Sequence, residues 1–131
     1  MTKSCDPLIL ALDLPTLRQA AEWVERLYPE IQQFKIGSQL FTAEGPKVVE
    51  MVHKKGGRVF LDLKWHDIPN TAANACREAA KMGVWMCNVH ALGGAEMLKA
   101  AKDAINNKSQ KMGTAPILIA VTVLTSMDQS A

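Results

Sequence analysis

Short apolar runs take turns along this chain with longer stretches in which apolar residues recur every three or four positions. The runs predict buried strands, and the spaced stretches predict helices with one apolar face. "LILALD" (8–13) predicts a first strand. Pro15 then opens a helix whose stripe is Leu17, Ala20, Ala21, Val24 and Leu27. "FKIG" (34–37) predicts a second strand, and Val48, Val49 and Val52 face one way on a helix stopped by Gly56 and Gly57. "RVFLDLK" (58–64) predicts a third strand. Pro69 lies near the start of the next helix, whose stripe is Ala72, Ala75, Cys76, Ala79 and Ala80, with Gly83 as its end. A face of small residues allows close packing against a neighbour. "VWMCNVH" (84–90) predicts a fourth strand, and Gly93 and Gly94 lead into a helix carrying Met97, Leu98, Ala101 and Ile105. After a polar turn, "ILIAVTVLTS" (117–126) predicts a fifth strand.

Strand and helix in alternation imply an α/β fold with parallel strands and crossover helices, either a doubly wound sheet or a (β/α) barrel. In both, the C-terminal strand ends form the active-site face. Polar residues gather at those ends. Asp13 closes the first strand, Lys35 lies in the second, Asn88 and His90 close the fourth, and Thr122 and Thr125 lie toward the end of the fifth. On the third, Val59, Leu61 and Leu63 share one face, while Phe60, Asp62 and Lys64 share the other. A polar residue at one strand end is ordinarily a turn residue. The same habit on five strands points to a site.

Composition narrows the function without naming it. The 131 residues suit one domain, 48% hydrophobic and 21% charged, as in an ordinary globular protein. A formal net charge of +2 with mixed signs argues against nucleic-acid or membrane-surface binding. No run reaches the roughly 18 apolar residues of a membrane span, and Asp6, Pro7 and Asp13 interrupt the N-terminus too early for a signal peptide. Cys5, Cys76 and Cys87 form no CxxC pair and are expected as thiols in a reducing cytoplasm.

The sharpest chemistry lies in "FLDLKWHDIPNT" (60–71), where Asp62, Lys64, His66 and Asp67 fall together. Lysine and aspartate side by side hold each other charged. Lys35, Asp62, Lys64 and Asp67 would set alternating charge in place before substrate binds, favouring a transition state without reorganisation. As an ammonium, Lys64 would donate a proton to a developing carbanion. Asp62 would face an anionic substrate group. His66 is expected in a structural role, His90 at the site or filling its mouth, and His53 on a helix surface. Trp23, Trp65 and Trp85 are expected in packing, and Gly93–Gly94 as a plain helix start.

Five segments, "LALD" (10–13), "FKIG" (34–37), "FLDLKWHDIPNT" (60–71), "NVHALGG" (88–94) and "AVTVLTSM" (120–127), resemble the orotidine 5′-phosphate decarboxylase family, in order and over nearly the whole chain. D-x-K-x-x-D-x-P-N-T is the specific motif. The resemblance implies the (β/α)8 barrel, with residues 1–131 as the N-terminal part of one barrel domain, about five strands and four helices. It implies conversion of orotidine 5′-phosphate to uridine 5′-phosphate and carbon dioxide in pyrimidine biosynthesis, without metal or organic cofactor. Lys64 would protonate C6, Asp62 would lie against the substrate carboxylate, Lys35 would link the charges to the ribose, and Asp13 would bind ribose. The family forms homodimers, so Asp67 and Thr71 would serve the neighbouring subunit's site. Ile68 would join the substrate-binding residues, and Thr125 with Ser126 would contact the pyrimidine.

A complete barrel has eight strands in about 250 residues, and the family's phosphate-binding loop and Gly-Arg element lie in later strands. The resemblance therefore implies a missing C-terminal part after Ala131 and little activity from the chain alone. Two alternatives remain at this stage. One is a magnesium-dependent barrel acting on sugar phosphates, with Asp62, Asp67 and His90 near the metal. The other is an inactive half-barrel that self-associates through open strand edges.

Overall fold

The structure, a computed structural model, describes residues 7–112 and 114–131, the side chains of 108–112 excepted. It divides into two compact units, Met1–Asp62 and Leu63–Ala131.

In the first unit β1 (Ile9–Ala11), β2 (Gln33–Gly37) and the start of β3 (Arg58–Trp65) run parallel. Ala11 pairs with Lys35, Lys35 with Phe60, and Gly37 with Asp62. Leu12 N–H donates to the Lys35 carbonyl at 2.9 Å and carries β1 toward Asp13. Helix α1 (Leu17–Leu27) starts one residue beyond Thr16, whose hydroxyl accepts the Gln19 N–H at 3.3 Å. A threonine cap satisfies an N–H that the first turn leaves open, so Pro15 precedes the cap instead of opening the helix. Behind the strands α1 packs on α3 (Lys47–Lys54). Ala20, Val24, Phe34, Ile36, Val48, Val49, Val52, Val59 and Leu61 form this unit's buried core.

One helix more than expected appears here. Ser38–Glu44 forms α2, with Leu40 as its buried residue. At seven residues it is too short to show a periodic stripe. Gly45, at φ 65°, separates it from α3.

Gly56 follows α3 at φ 96°, a backbone that side chains disfavour. A Cβ there would lie 2.6 Å from the Tyr28 Oη. Gly56→Ala is therefore expected to destabilise by about 2 kcal/mol, read as a lower urea midpoint at unchanged slope. Gly83→Ala, also at positive φ, is the comparison: it tests the backbone effect at the end of a helix in the second unit.

Two side chains depart from expectation. His53 is half-buried instead of lying on the helix surface, and burial lowers its pKa. Trp23 is 45% exposed, with the Arg26 guanidinium 5.8 Å from its ring centre. It therefore holds a cation over its face instead of packing in the core.

The second unit holds the end of β3, α4 (Pro69–Lys81), β4 (Met86–His90), a 3-10 turn (Ala91–Gly93), α5 (Ala95–Met112) and β5 (Ile117–Val121). β4 and β5 are parallel, from Met86 opposite Ile117 to His90 opposite Val121. All five residues of β4 are buried. Pro69 stands at the start of α4 as expected. The buried face of α4 is Ala72, Ala73, Cys76, Ala79 and Ala80, with Ala73 in place of Ala75, and α4 packs closely on α5. On α5, Met97, Ala101, Ala104 and Ile105 are buried, with Ala104 in place of Leu98.

Cys76 and Cys87 are free and buried. Their thiols hydrogen-bond each other, and that bond together with burial pushes the Cys87 thiol far above the ordinary range. Cys5 lies outside the described residues. Among the described residues no helix is long and apolar enough to cross a membrane.

Candidate active site

Each unit carries one group of polar side chains. In the first it is an ion cluster. Lys35 Nζ lies 3.1 Å from Asp62 Oδ2 and 3.7 Å from Asp13 Oδ1. Parallel register explains the meeting. Lys35 sits two residues before Gly37, and Gly37 pairs with Asp62. Residues two apart share a strand face, so the lysine stem runs past the position of Gly37. A Cβ at Gly37 would lie in ordinary contact with both charged groups, 3.6 Å from Asp13 Oδ1 and 3.9 Å from Lys35 Nζ, so this position borders the cluster.

Burial differs sharply across the cluster. The Asp62 side chain is 8% exposed and that of Asp13 is 67% exposed. Asp62 therefore needs protein partners, of which Lys35 is one, while water serves Asp13. Lys35, held between two carboxylates, keeps its ammonium in one place at the end of the strands.

The second group centres on Lys64, half-buried near the end of β3. Its φ is 50°, and it is the sole non-glycine residue with positive φ among the described residues. That backbone departs from the extended values of a regular strand. Its N–H donates to Asn88 Oδ1 at 2.8 Å. Asn88 is 2% exposed in the middle of β4. His90, the next residue on that side of β4, is also buried, and its Nδ1 accepts the Leu92 N–H at 3.2 Å. Its ring stacks on His66, centres 5.4 Å apart and planes at 21°.

Beyond β3, Asp67, Ile68 and Thr71 are exposed. Asp67 Oδ1 accepts the Ile68 N–H at 2.7 Å, which fixes the turn into α4. Thr122, Thr125 and Ser126 do not extend β5, which ends at Val121. Thr125 and Ser126 lie in an exposed turn, across which Met127 N–H donates to the Leu124 carbonyl. The β-branched run "VTVLT" favours a strand, but strand residues also need a partner ladder, and β4 stops at His90 opposite Val121. Among the described residues no three His, Cys, Asp or Glu side chains gather as a metal site.

Asn88 was legible only as a polar strand end, and the His66–His90 stack was not legible at all. A polar residue inside "VWMCNVH" is the available signal for Asn88, because a strand buried throughout carries such a residue only with partners. The histidine stack joins residues 24 positions apart, and only the fold brings them together.

Comparison with known proteins bears on the fold and the family. A relative from Nitrosospira multiformis named orotidine 5′-phosphate decarboxylase is 56% identical over 126 residues, which is 95% of this chain and 50% of the relative. The crystal structure of orotidine 5′-phosphate decarboxylase from Lactobacillus acidophilus superposes with a TM-score of 0.86 at 40% identity, covering 95% of this chain and 56% of that one. The Methanocaldococcus jannaschii orotidine 5′-monophosphate decarboxylase complexed with inhibitor BMP matches at a TM-score of 0.72 and 26% identity, covering 85% of this chain and 50% of that one. The fold is thus α/β, of the (β/α)8-barrel class, and the chain spans about half the length of the curated relatives it matches. Residues 6–131 match the family described as "Orotidine 5'-phosphate decarboxylase / HUMPS family", and this chain belongs to that family.

Proposed function

We propose that this chain provides the charged half of an orotidine 5′-phosphate decarboxylase site and is the N-terminal part of one barrel domain. The observation that carries the reading is the Asp13–Lys35–Asp62 cluster, whose ammonium is held at 3.1 and 3.7 Å from two carboxylates. Charge fixed in advance costs nothing to reorganise when the reaction occurs.

In this reading Asp62 faces the substrate carboxylate, and Lys35 and Asp13 hold the ribose. The bond from C6 to the carboxylate breaks, carbon dioxide leaves, and the electron pair stays on C6. Lys64 gives its ammonium proton to that carbanion and becomes a neutral amine. Ile68, Thr125 and Ser126 contact substrate, and Asp67 and Thr71 serve the partner site of a homodimer. The exposure of Asp67 and Thr71 on the turn into α4 supports that last assignment. The chain's own side chains supply the charge the reaction needs, so no cofactor enters. The product serves pyrimidine biosynthesis, in the cytoplasm.

The test compares the chain alone with a chimera of this chain and the unmatched half of the Nitrosospira multiformis relative, following loss of orotidine 5′-phosphate absorbance in excess chelator. The chimera is expected to turn over and the chain alone to do so barely. Remote binding energy, here from the substrate phosphate, supports chemistry as well as affinity. Robust turnover by the 131-residue chain alone would refute the second expectation. Turnover that vanishes in chelator would sink the cofactor-free mechanism and favour the magnesium-dependent alternative.

A further inference from the structure

A lysine in a left-handed backbone is an unusual feature. A Cβ crowds the following carbonyl oxygen there, and glycine or asparagine usually takes the position. Such strain persists only where the surroundings over-determine it. Lys64 is the one such residue among those described, and it is the residue that the proposed function makes the proton donor. The strain changes where the side chain leaves the strand. A φ of 50° in place of an extended value sets the direction of its Cα–Cβ bond.

Asn88 supplies the restraint. Its carboxamide is buried in a strand that is otherwise apolar except for His90. Burying an amide is costly without partners, and a leucine would fill similar space. The Lys64 N–H can only donate, so the atom facing it at 2.8 Å is the carboxamide oxygen, and the assignment of the amide is unambiguous. A side-chain acceptor on β4 thus holds the backbone amide of the strained residue. Both groups belong to the second unit.

We propose that Asn88 is a positioning residue for Lys64: its carboxamide oxygen holds the Lys64 backbone in the left-handed conformation that directs the lysine side chain. The inference rests on Lys64 being the proton donor. Asn88 itself need not touch substrate.

The experiment measures kcat, KM and the exchange rate of the Lys64 amide proton in the chimera. Asn88→Leu is expected to lower kcat about 10- to 100-fold, the loss that misplacing a reacting group by about 1 Å produces, with KM nearly unchanged. The Lys64 amide is expected to exchange about 100-fold faster while amides of the β2 core stay slow. Asn88→Asp keeps an acceptor and is expected to keep the Lys64 amide slow. If Asn88→Leu does not fold, Asn88→Ser, whose hydroxyl falls short of the amide, takes its place with the same expected results. Unchanged kcat, or a Lys64 amide as slow as in the parent, overturns the proposal. Turnover retained in Lys64→Ala sinks the reading of Lys64 itself. An inactive Lys64→Ala beside a fully active Asn88→Leu sinks only the role of Asn88.

Discussion

Lys64→Ala in the chimera is expected to lower turnover of orotidine 5′-phosphate by roughly 10²- to 10⁴-fold, the usual worth of a positioned general acid. The substitution removes the ammonium that would protonate C6 and keeps Asp13, Lys35 and Asp62 in the sequence. Substrate binding should therefore suffer less than kcat. A second variant separates chemistry from strain. Lys64→Gly should be as inactive as Lys64→Ala yet more stable by about 1 kcal/mol, because alanine keeps a Cβ in the left-handed region and glycine does not. Absorbance assays and urea midpoints on the same two variants check both statements. Turnover within a few-fold of the parent in Lys64→Ala would remove the proposed donor. Equal stability of the two variants would show that φ 50° carries no strain.

Lys35→Met should destabilise the protein by about 3 kcal/mol, the low end of what breaking a buried ion pair costs. The low end applies because the Lys35 side chain is 25% exposed and water reaches part of the site. Asp62, at 8% exposed, then loses the ammonium that stands 3.1 Å from its Oδ2. The double variant Lys35→Met with Asp62→Leu should recover most of the loss, since paired removal leaves no orphan charge. Both variants should be inactive in the chimera. Urea unfolding of the parent, the two single variants and the double variant completes the cycle. An additive double variant, as unstable as the two losses summed, would mean that the 3.1 Å pair contributes no coupling. An inactive double variant more stable than the parent would show that the cluster is kept for chemistry at a cost to the fold.

Much of the architecture was legible because burial writes itself into composition. A strand enclosed on both faces must be apolar throughout, as "MCNVH" nearly is, and a helix packed on one side must repeat its apolar residues at 3.6. Val48, Val49 and Val52, the apolar face that this spacing predicts, are buried for that reason. In α4 the runs of alanine are nearly equivalent in hydrophobicity, so the burial of Ala73 in place of Ala75 depends on the angle at which α4 meets α5. α2 is too short for periodicity. The end of β5 was overestimated because propensity continues past Val121, where pairing with β4 stops.

The same division holds within the site. Which residue types would carry charge, and that they would stand at strand ends, followed from Asp13, Lys35, Asp62 and Lys64 in the chain alone, since ionic groups at the end of an apolar strand are costly unless they meet one another or a ligand. Which of them meet did not follow. The pairing of Lys35 with Asp62 depends on parallel register. The left-handed turn at Lys64 and its bond to Asn88 depend on a strand that arrives 24 residues later. Local pattern records what each residue costs to bury, and long-range geometry selects the partner that offsets that cost.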